Sequence, residues 1–530
     1  MSGGVKIYST NLIKKLVEGA YHCIKIEMIR CISFCLFFFL LFTKTSSQSV
    51  FLSKKDKLHA LQLFKELLFI PNDAHNHMDI EKNIQWCEKA FTQRQFRTSR
   101  LSTDSPLPML LAEYHKNIPG KETVLVYLQI DGQPVDSTFW WQENPYKATL
   151  KEQSPDGDWK ALPWNTIYKN LKEDWRIFAR SASDAKGPVA MFLKAIEMIQ
   201  DQGVSIPFNL KVIMDFEEEL GSPNLARGVE LNRKALAADH LIILDGPMHP
   251  SYKPTLSFGA RGITTVTLKI HGPTFPQHSG HYGNYVPNPA LQLTQVLSSM
   301  KDMEGRVLIP GWYDAIHIDK ETQEILAAVP DNEQEMRVKI GFAQPDAVGN
   351  NLQESIQYPS LNIRGLLSGW IGNEARTIIP SLATAEIDIR TVKESNPEEL
   401  ISKLKSHLKS LGFYIVAQKP ELTDKLKYPK LIEMNYEVSY QAFRTELDSP
   451  TGLWLRRALK RKNGAEPIMK RTSGGSIPIS PFVNTLGVPA VTVPTVNPDN
   501  NQHSPNENIR LGNFFDGITT IYSILTEKIK

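Results

Sequence analysis

From residue 56 onward, apolar positions recur in two rhythms, one helical and one of short unbroken runs. Asp56 to Phe69 (DKLHALQLFKELLF) carries apolar residues at helical spacing and predicts a helix that stops before Pro71. A second helix is predicted over Ile80 to Thr92 and a third over Pro188 to Gln200. Four runs of strand length lie among them: Val124–Leu128, Phe208–Met214, Leu241–Leu244 and Pro489–Val493. Unbroken apolar strands alternating with helices predict a mostly parallel sheet covered by helices. Ligand-capable side chains follow every run: Gln129 and Asp131, Asp215 and Glu217–Glu219, Asp245, and a Pro/Asn-rich loop holding His503. In open α/β sheets ligands bind beyond the carboxyl ends of the strands, so these distant residues are expected at one edge. A single Asp after one strand reads more simply as a turn cap. Four such strands together favour a site.

Between Gly262 and Pro429 the texture changes. Gly262–Ile270 alternates as a half-buried strand does, and helices over Ala290–Met300 and Pro397–Leu411 and strands near Ser360–Ile363 and Thr384–Arg390 follow. This pattern predicts helices on one face of a sheet. The expected layout is a leader over 1–47, a first domain over 48–262, an inserted unit over 263–435, and a return to the first domain over 436–530.

Composition narrows the picture without naming a chemistry. A chain of 530 residues with 41% hydrophobic and 22% charged residues is globular and long enough for two domains. Basic residues through Arg30 precede an apolar run, Cys31–Phe42, and the polar stretch Thr43–Gln48. About a dozen apolar residues are too few to span a bilayer, and this order fits a secretory signal, with a retained membrane anchor as the other reading. The n-region is long, so translation could also start at Met28. Without residues 1–47 the formal charge of +3 disappears, leaving 54 basic and 55 acidic residues, and no basic stripe points to nucleic acid. Of Cys23, Cys31, Cys35 and Cys87, only the last lies beyond the leader, which leaves no internal disulfide. An exported, periplasmic or secreted location is therefore expected, with membrane tethering only if the leader is uncleaved.

Seven motifs stand in order along the chain: Gln129-Ile-Asp131, Ser183-Asp-Ala-Lys-Gly187, Glu217-Glu-Glu-Leu-Gly-Ser222, Asp245, His278-Ser-Gly280, Gly474-Gly-Ser-Ile-Pro478 and His503-Ser-Pro-Asn-Glu507. Together they resemble the M20 metallopeptidase family of carnosine dipeptidases, glutamate carboxypeptidase, acetylornithine deacetylase and aminoacylase, from about residue 56 to the C-terminus. The stretch Arg261–Tyr313 is most similar to the dipeptidase branch. The resemblance implies an α/β fold: a mostly parallel-sheet di-metal hydrolase domain with an inserted α+β sandwich that serves as lid and dimerisation domain. It implies two divalent ions, zinc or manganese, that polarise a scissile carbonyl and activate water. Carried over by motif, Asp184 bridges the ions, Glu219 and His503 complete one, and Asp245 with Gln129 completes the other. Glu218 becomes the general base and Asp131 an orienting carboxylate. His278 is implied to stabilise an oxyanion in a neighbouring subunit's site, and Arg390, Gly475 and Ser476 to hold the substrate's carboxylate end. The implied substrate is a small peptide or an N-acyl amino acid, and the implied assembly a homodimer.

The bland readings are an acidic turn for Glu217–Glu219, a helix cap for Asp184, an exposed loop residue for His503 or His278, a tight turn for Gly474–Ser476, and a surface ion pair for Arg390. This chain also departs from the family pattern. The first motif normally opens with His, and Gln129 offers only a neutral amide oxygen, better suited to manganese or magnesium than to zinc. Two ions with altered preference, one ion held tightly, or a non-catalytic binder of peptides or amino-acid derivatives are the three consequences open at this level. Ala185 replaces the usual Asp or Asn in a peptide bond that is commonly cis in the family.

Overall fold

The computed structural model describes residues 51–114 and 118–530, together with Met1. The expected leader over 1–47 lies outside the described residues. No helix among the described residues is long and apolar enough to cross a membrane.

The first predicted helix spans Lys54–Leu68, where Ser53 Oγ accepts the Asp56 amide at 3.1 Å, and it buries Ala60, Leu61, Phe64, Leu67 and Leu68. The second spans His77–Thr92, three residues earlier than the apolar period, because Asn76 caps its first turn. The third spans Lys186–Asp201 and is buried along nearly its whole length. It packs between Lys54–Leu68 and the C-terminal helix Leu511–Thr526.

Eight strands form the central sheet, in the order 96–101, 109–114, 209–215, 123–129, 240–243, 490–492, 255–257 and 468–470. The four predicted strands lie side by side and parallel at its centre. The Thr123–Gln129 strand shows why its apolar run is unbroken. Val124, Val126 and Leu128 join the core under the long helices, while Leu125 and Tyr127 join the core on the opposite face. Both faces are covered, so neither can be polar.

A second, five-stranded sheet carries the inserted unit, in the order 360–368, 382–391, 262–271, 431–440 and 414–416. Strand 262–271 alternates buried and half-buried residues, and its buried face packs with residues of the helices Pro289–Met300 and Pro397–Ser410. The expected boundary at 435 is corrected by the strand Leu431–Tyr440, which pairs with 262–271 from Ile432 opposite Ile270 to Tyr440 opposite Ile263. The inserted sheet therefore runs on to Tyr440. A further four-stranded sheet, 508–510, 176–178, 149–153 and 159–161, joins three strands from the polar stretch ahead of Asp184 to one that follows the His503 loop. Cys87 is a buried free thiol.

Candidate metal centre and substrate end

The centre is assembled from five segments: the loops after the central strands 123–129, 209–215, 240–243 and 490–492, and the turn 180–185 ahead of the helix Lys186–Asp201. Gln129 ends the strand 123–129, and the turn after it is tightly held. Asn72 Nδ2 donates to the Ile130 carbonyl at 2.6 Å and to Ser181 Oγ at 2.8 Å. A side chain at Gly132 would stand 2.3 Å from Ser181 Oγ and would have to displace Ser181 or Asn72. Asp131 is fully buried, and its Oδ2 accepts the Glu219 amide at 2.8 Å. This bond ties the turn after the strand 123–129 to the backbone of the acidic turn.

After the strand 209–215, Asp215 folds the acidic turn. Its Oδ1 accepts the Glu217 amide at 3.0 Å, and its Oδ2 accepts the hydroxyls of Ser222 at 2.5 Å and Tyr127 at 3.0 Å. A 3-10 turn over Glu218–Leu220 then ends on Gly221 at φ 83°, turning Glu218 and Glu219 toward the centre. From the inserted sheet, the Tyr440 hydroxyl lies 2.3 Å from where a Gly221 side chain would begin.

Asp184 stands beside a cis peptide to Ala185. It does not cap the helix that follows, whose N-terminus has no side-chain cap. Instead Asp184 Oδ1 accepts Gln129 Nε2 at 3.0 Å, and Oδ2 lies 3.0 Å from His503 Nε2. The loop 180–184 is held by Glu507, which is wholly buried and accepts Arg180 Nη1 and the Ser181 amide at 2.8 Å, and the Ser183 and Asp184 amides at 2.9 Å. Because Glu507 belongs to the same loop as His503, one carboxylate ties the two ligand segments together.

Ligand atoms of Asp184, Glu219 and His503 all lie within 4.8 Å of one another. His503 Nε2 is 3.3 Å from Glu219 Oε2, and Gln133 Nε2 donates to that same oxygen at 2.8 Å. Gln129 Nε2 also donates to Glu218 Oε2 at 3.1 Å, which joins the expected base to the group. Asp245 is half-buried, with Oδ1 accepting the Gly246 amide at 2.7 Å. It lies close enough that Asp184's charge, after burial, pushes its carboxyl upward. Burial first, then the charges of Asp245, Asp184, Glu219 and Asp131, raise Glu218 well above the usual carboxylate range. Glu219 is raised by burial and by Asp184, against the opposing pull of His503.

This crowding tests whether cations fit. Asp131, Asp184, Glu218, Glu219 and Asp245 converge, and among the described residues the only ion pairs formed within the group are to His503. Buried charge of one sign needs a counter-charge. Gln129 Oε1 and Asp131 Oδ1 are buried without hydrogen-bond partners. A donor set of carboxylates and one imidazole suits divalent cations, and these residues fit them; Gln129 turns its Nε2 to Asp184 and Glu218 and would have to present Oε1 instead to join the set.

At the expected substrate end, Arg390 Nη1 donates to Ser476 Oγ at 2.8 Å, joining the inserted sheet to the Gly474–Ser476 turn. Arg390 also lies 3.5 Å from Asp388, so the ion-pair reading holds alongside. The side-chain direction at Gly475 opens into free space. His278 is not brought to this group. It is exposed, its Nδ1 accepts the Gly280 amide at 3.0 Å, and its ring packs on His281 at 4.5 Å. Gln133 and Tyr440, which no motif contains, and Asp215 and Glu507, to which the sequence assigns no role, complete the site. Glu507 closes a quoted motif, and Gln133 follows Asp131 by two positions; neither has a local pattern that marks its partner.

A carboxylate-rich cation centre at the carboxyl edge of a helix-covered, mostly parallel sheet, facing an inserted α+β unit, defines the class of metal-dependent hydrolases. The chain belongs to peptidase family M20/M25/M40, whose model matches residues 130–527, and it is a hydrolytic peptidase. It is 30% identical over 425 residues to the Cys-Gly metallodipeptidase DUG1 of Candida albicans, covering 78% of this chain and 80% of that protein. It is 26% identical over 427 residues to the Beta-Ala-His dipeptidase of Homo sapiens, covering 77% and 75%. An M20 family metallo-carboxypeptidase from Sulfolobus solfataricus superposes with a TM-score of 0.71 at 27% identity, over 88% of this chain and 98% of that one.

Proposed function

We propose that the protein is a dipeptidase that cleaves the amide bond of a dipeptide or closely related N-acyl amino acid. The observation that carries this reading is the convergence of Asp184, Glu219 and His503 with Glu218 beside them. Two divalent cations, manganese or zinc, are assigned to Gln129, Asp184, Glu219, Asp245 and His503. Bound there, they supply Lewis acidity toward the scissile carbonyl and the attacking water. Glu218 accepts a proton from that water and returns it to the leaving amine. Arg390 and Ser476 orient the substrate's terminal carboxylate, so that the amide faces Glu218. Glu507 and Asp131 hold the ligand loops in register throughout.

The relatives' substrates suggest where to begin. Cys-Gly and β-alanyl-histidine, with a wider dipeptide panel, are assayed with protein loaded with Mn²⁺ or Zn²⁺. Turnover is expected to fall by about a hundredfold or more in Glu218→Gln while elemental analysis shows the metal retained. Wild-type protein that cleaves nothing in the panel refutes the proposal.

A homodimer through the inserted sheet is part of the same reading. The edge strand 360–368 and the turn after it expose Leu366, Leu367, Trp370 and Ile371, and an open apolar edge is a pairing surface. His278 would then serve the second copy's centre. Light scattering should show a dimer that Leu367→Lys disrupts together with activity; a monomeric, fully active wild type excludes it. Export is proposed on residues 1–47 alone, and N-terminal sequencing of the mature protein decides it.

A further inference from the structure

The inserted unit holds a cavity of about 280 Å³, just under the usual range for small-molecule sites. Its walls include Val307, Met336, Phe342, Val348, Ile356 and Leu361, all apolar. One wall is Arg261, which is only 7% exposed. Arg261 Nη2 donates to the carbonyls of Tyr358 at 2.9 Å and Arg390 at 3.4 Å, while Nε is buried with no partner. Asp388, the acid near enough to influence it, pairs instead with Arg390. Of the other charged groups on the walls, Lys301 pairs with Asp346 at 3.1 Å, Glu333 accepts the Leu352 amide at 2.6 Å, and Arg337 Nη1 donates to the Ala343 carbonyl at 3.4 Å. A guanidinium stays protonated, and one buried without a counter-ion is costly. Burial and the nearby Arg390 push its pKa down to about 10, the direction expected of a cation lacking an anion.

We propose that this cavity binds a small carboxylate with an apolar body, the head group on Arg261 and the body against Met336, Phe342 and Val348. The inference rests on the cavity and the unpaired guanidinium and is independent of the metal centre. Its back wall adjoins the substrate end. Ile356 Cγ2 lies 3.8 Å from the side-chain position of Gly474, and Gln357 accepts hydrogen bonds from Arg471 at 2.8 Å and Thr472 at 3.3 Å. Arg261 itself holds the Arg390 carbonyl. An occupant therefore bears on Arg390 and Ser476 and should shift KM more than kcat.

Two sources share this chemistry, an amino acid released by peptide cleavage and a plain carboxylate. Full-length, metal-loaded protein is titrated calorimetrically with L-leucine, 4-methylpentanoate and 4-methylpentan-1-ol. At least one acid is expected to bind, roughly tenfold or more tighter than the alcohol. L-leucine alone identifies the amino-acid source, and binding of 4-methylpentanoate the plain carboxylate; either supports the site. Val348→Trp, which fills the cavity and leaves Arg261 untouched, should abolish binding, as should Arg261→Gln if it folds. Arg390→Gln should keep it. Absence of binding up to about 10 mM, equal binding of the alcohol, or binding that survives Val348→Trp but is lost in Arg390→Gln overturns the proposal.

Discussion

Replacing Glu507 with Gln tests whether one buried carboxylate holds the metal-ligand loops. The substitution keeps the volume and removes half of the acceptor capacity. Glu507 accepts four donors, from Arg180, Ser181, Ser183 and Asp184, all at 2.8–2.9 Å. A glutamine oxygen can accept about two of them, and its own NH₂ then faces the remaining donors. Two orphaned buried donors cost about 1–3 kcal/mol each. The side chains of the Arg180–Glu507 pair are 4% and 1% exposed, and breaking such a pair costs about 3–5 kcal/mol. Because these losses overlap, a destabilisation of about 5 kcal/mol is expected. Thermal unfolding followed by circular dichroism should show the midpoint falling by about 5–10 °C. Metal affinity, read by competition with a chromogenic chelator, should weaken by about 10–100-fold, because Asp184 loses its backbone anchor. An unchanged midpoint with unchanged metal affinity would refute the assignment of Glu507 as the tie between the loops.

Two further outcomes follow from the same geometry. Gln129→His replaces a neutral amide with a stronger imidazole donor, so the more weakly held ion should resist a competing chelator better than in wild type; an unchanged metal affinity would show that Gln129 does not limit the site. In metal-free protein, burial and neighbouring charge push Asp245 up to about 7 and Glu219 up to about 8, against about 4 in the unfolded chain. Folded values above unfolded ones mean stability that is full below about pH 4 and lost as pH rises through about 7 and 8. The unfolding midpoint of chelated protein should therefore fall between pH 5 and pH 8 and recover with Mn²⁺; a midpoint flat over that range, or unmoved by chelation, contradicts it.

Helical spacing placed the helices over 54–68, 77–92 and 186–201 to within a few residues, because 3.6-residue periodicity is a local consequence of burying one face. The strand Leu431–Tyr440 was equally legible in the alternation of Ile432, Met434, Tyr436, Val438 and Tyr440. Residue types at the strand ends, Gln129, Asp131, Glu217–Glu219 and Asp245, were visible for the same local reason: each follows its own apolar run.

What no local pattern contains is which loops meet. Asp184 and His503 are 319 residues apart, and Arg390 and Ser476 are 86 apart. Their meeting depends on a strand order, 209–215 beside 123–129 beside 240–243 beside 490–492, that differs from chain order. Glu507 illustrates the difference most sharply. Its sequence neighbours mark it as part of a polar loop, and only the folded chain buries it among four donors. The chain by itself therefore determined the elements and the chemistry available at their ends. Tertiary structure decided which of those groups share a low-dielectric space, since burial and charge convergence are properties of packing rather than of sequence distance.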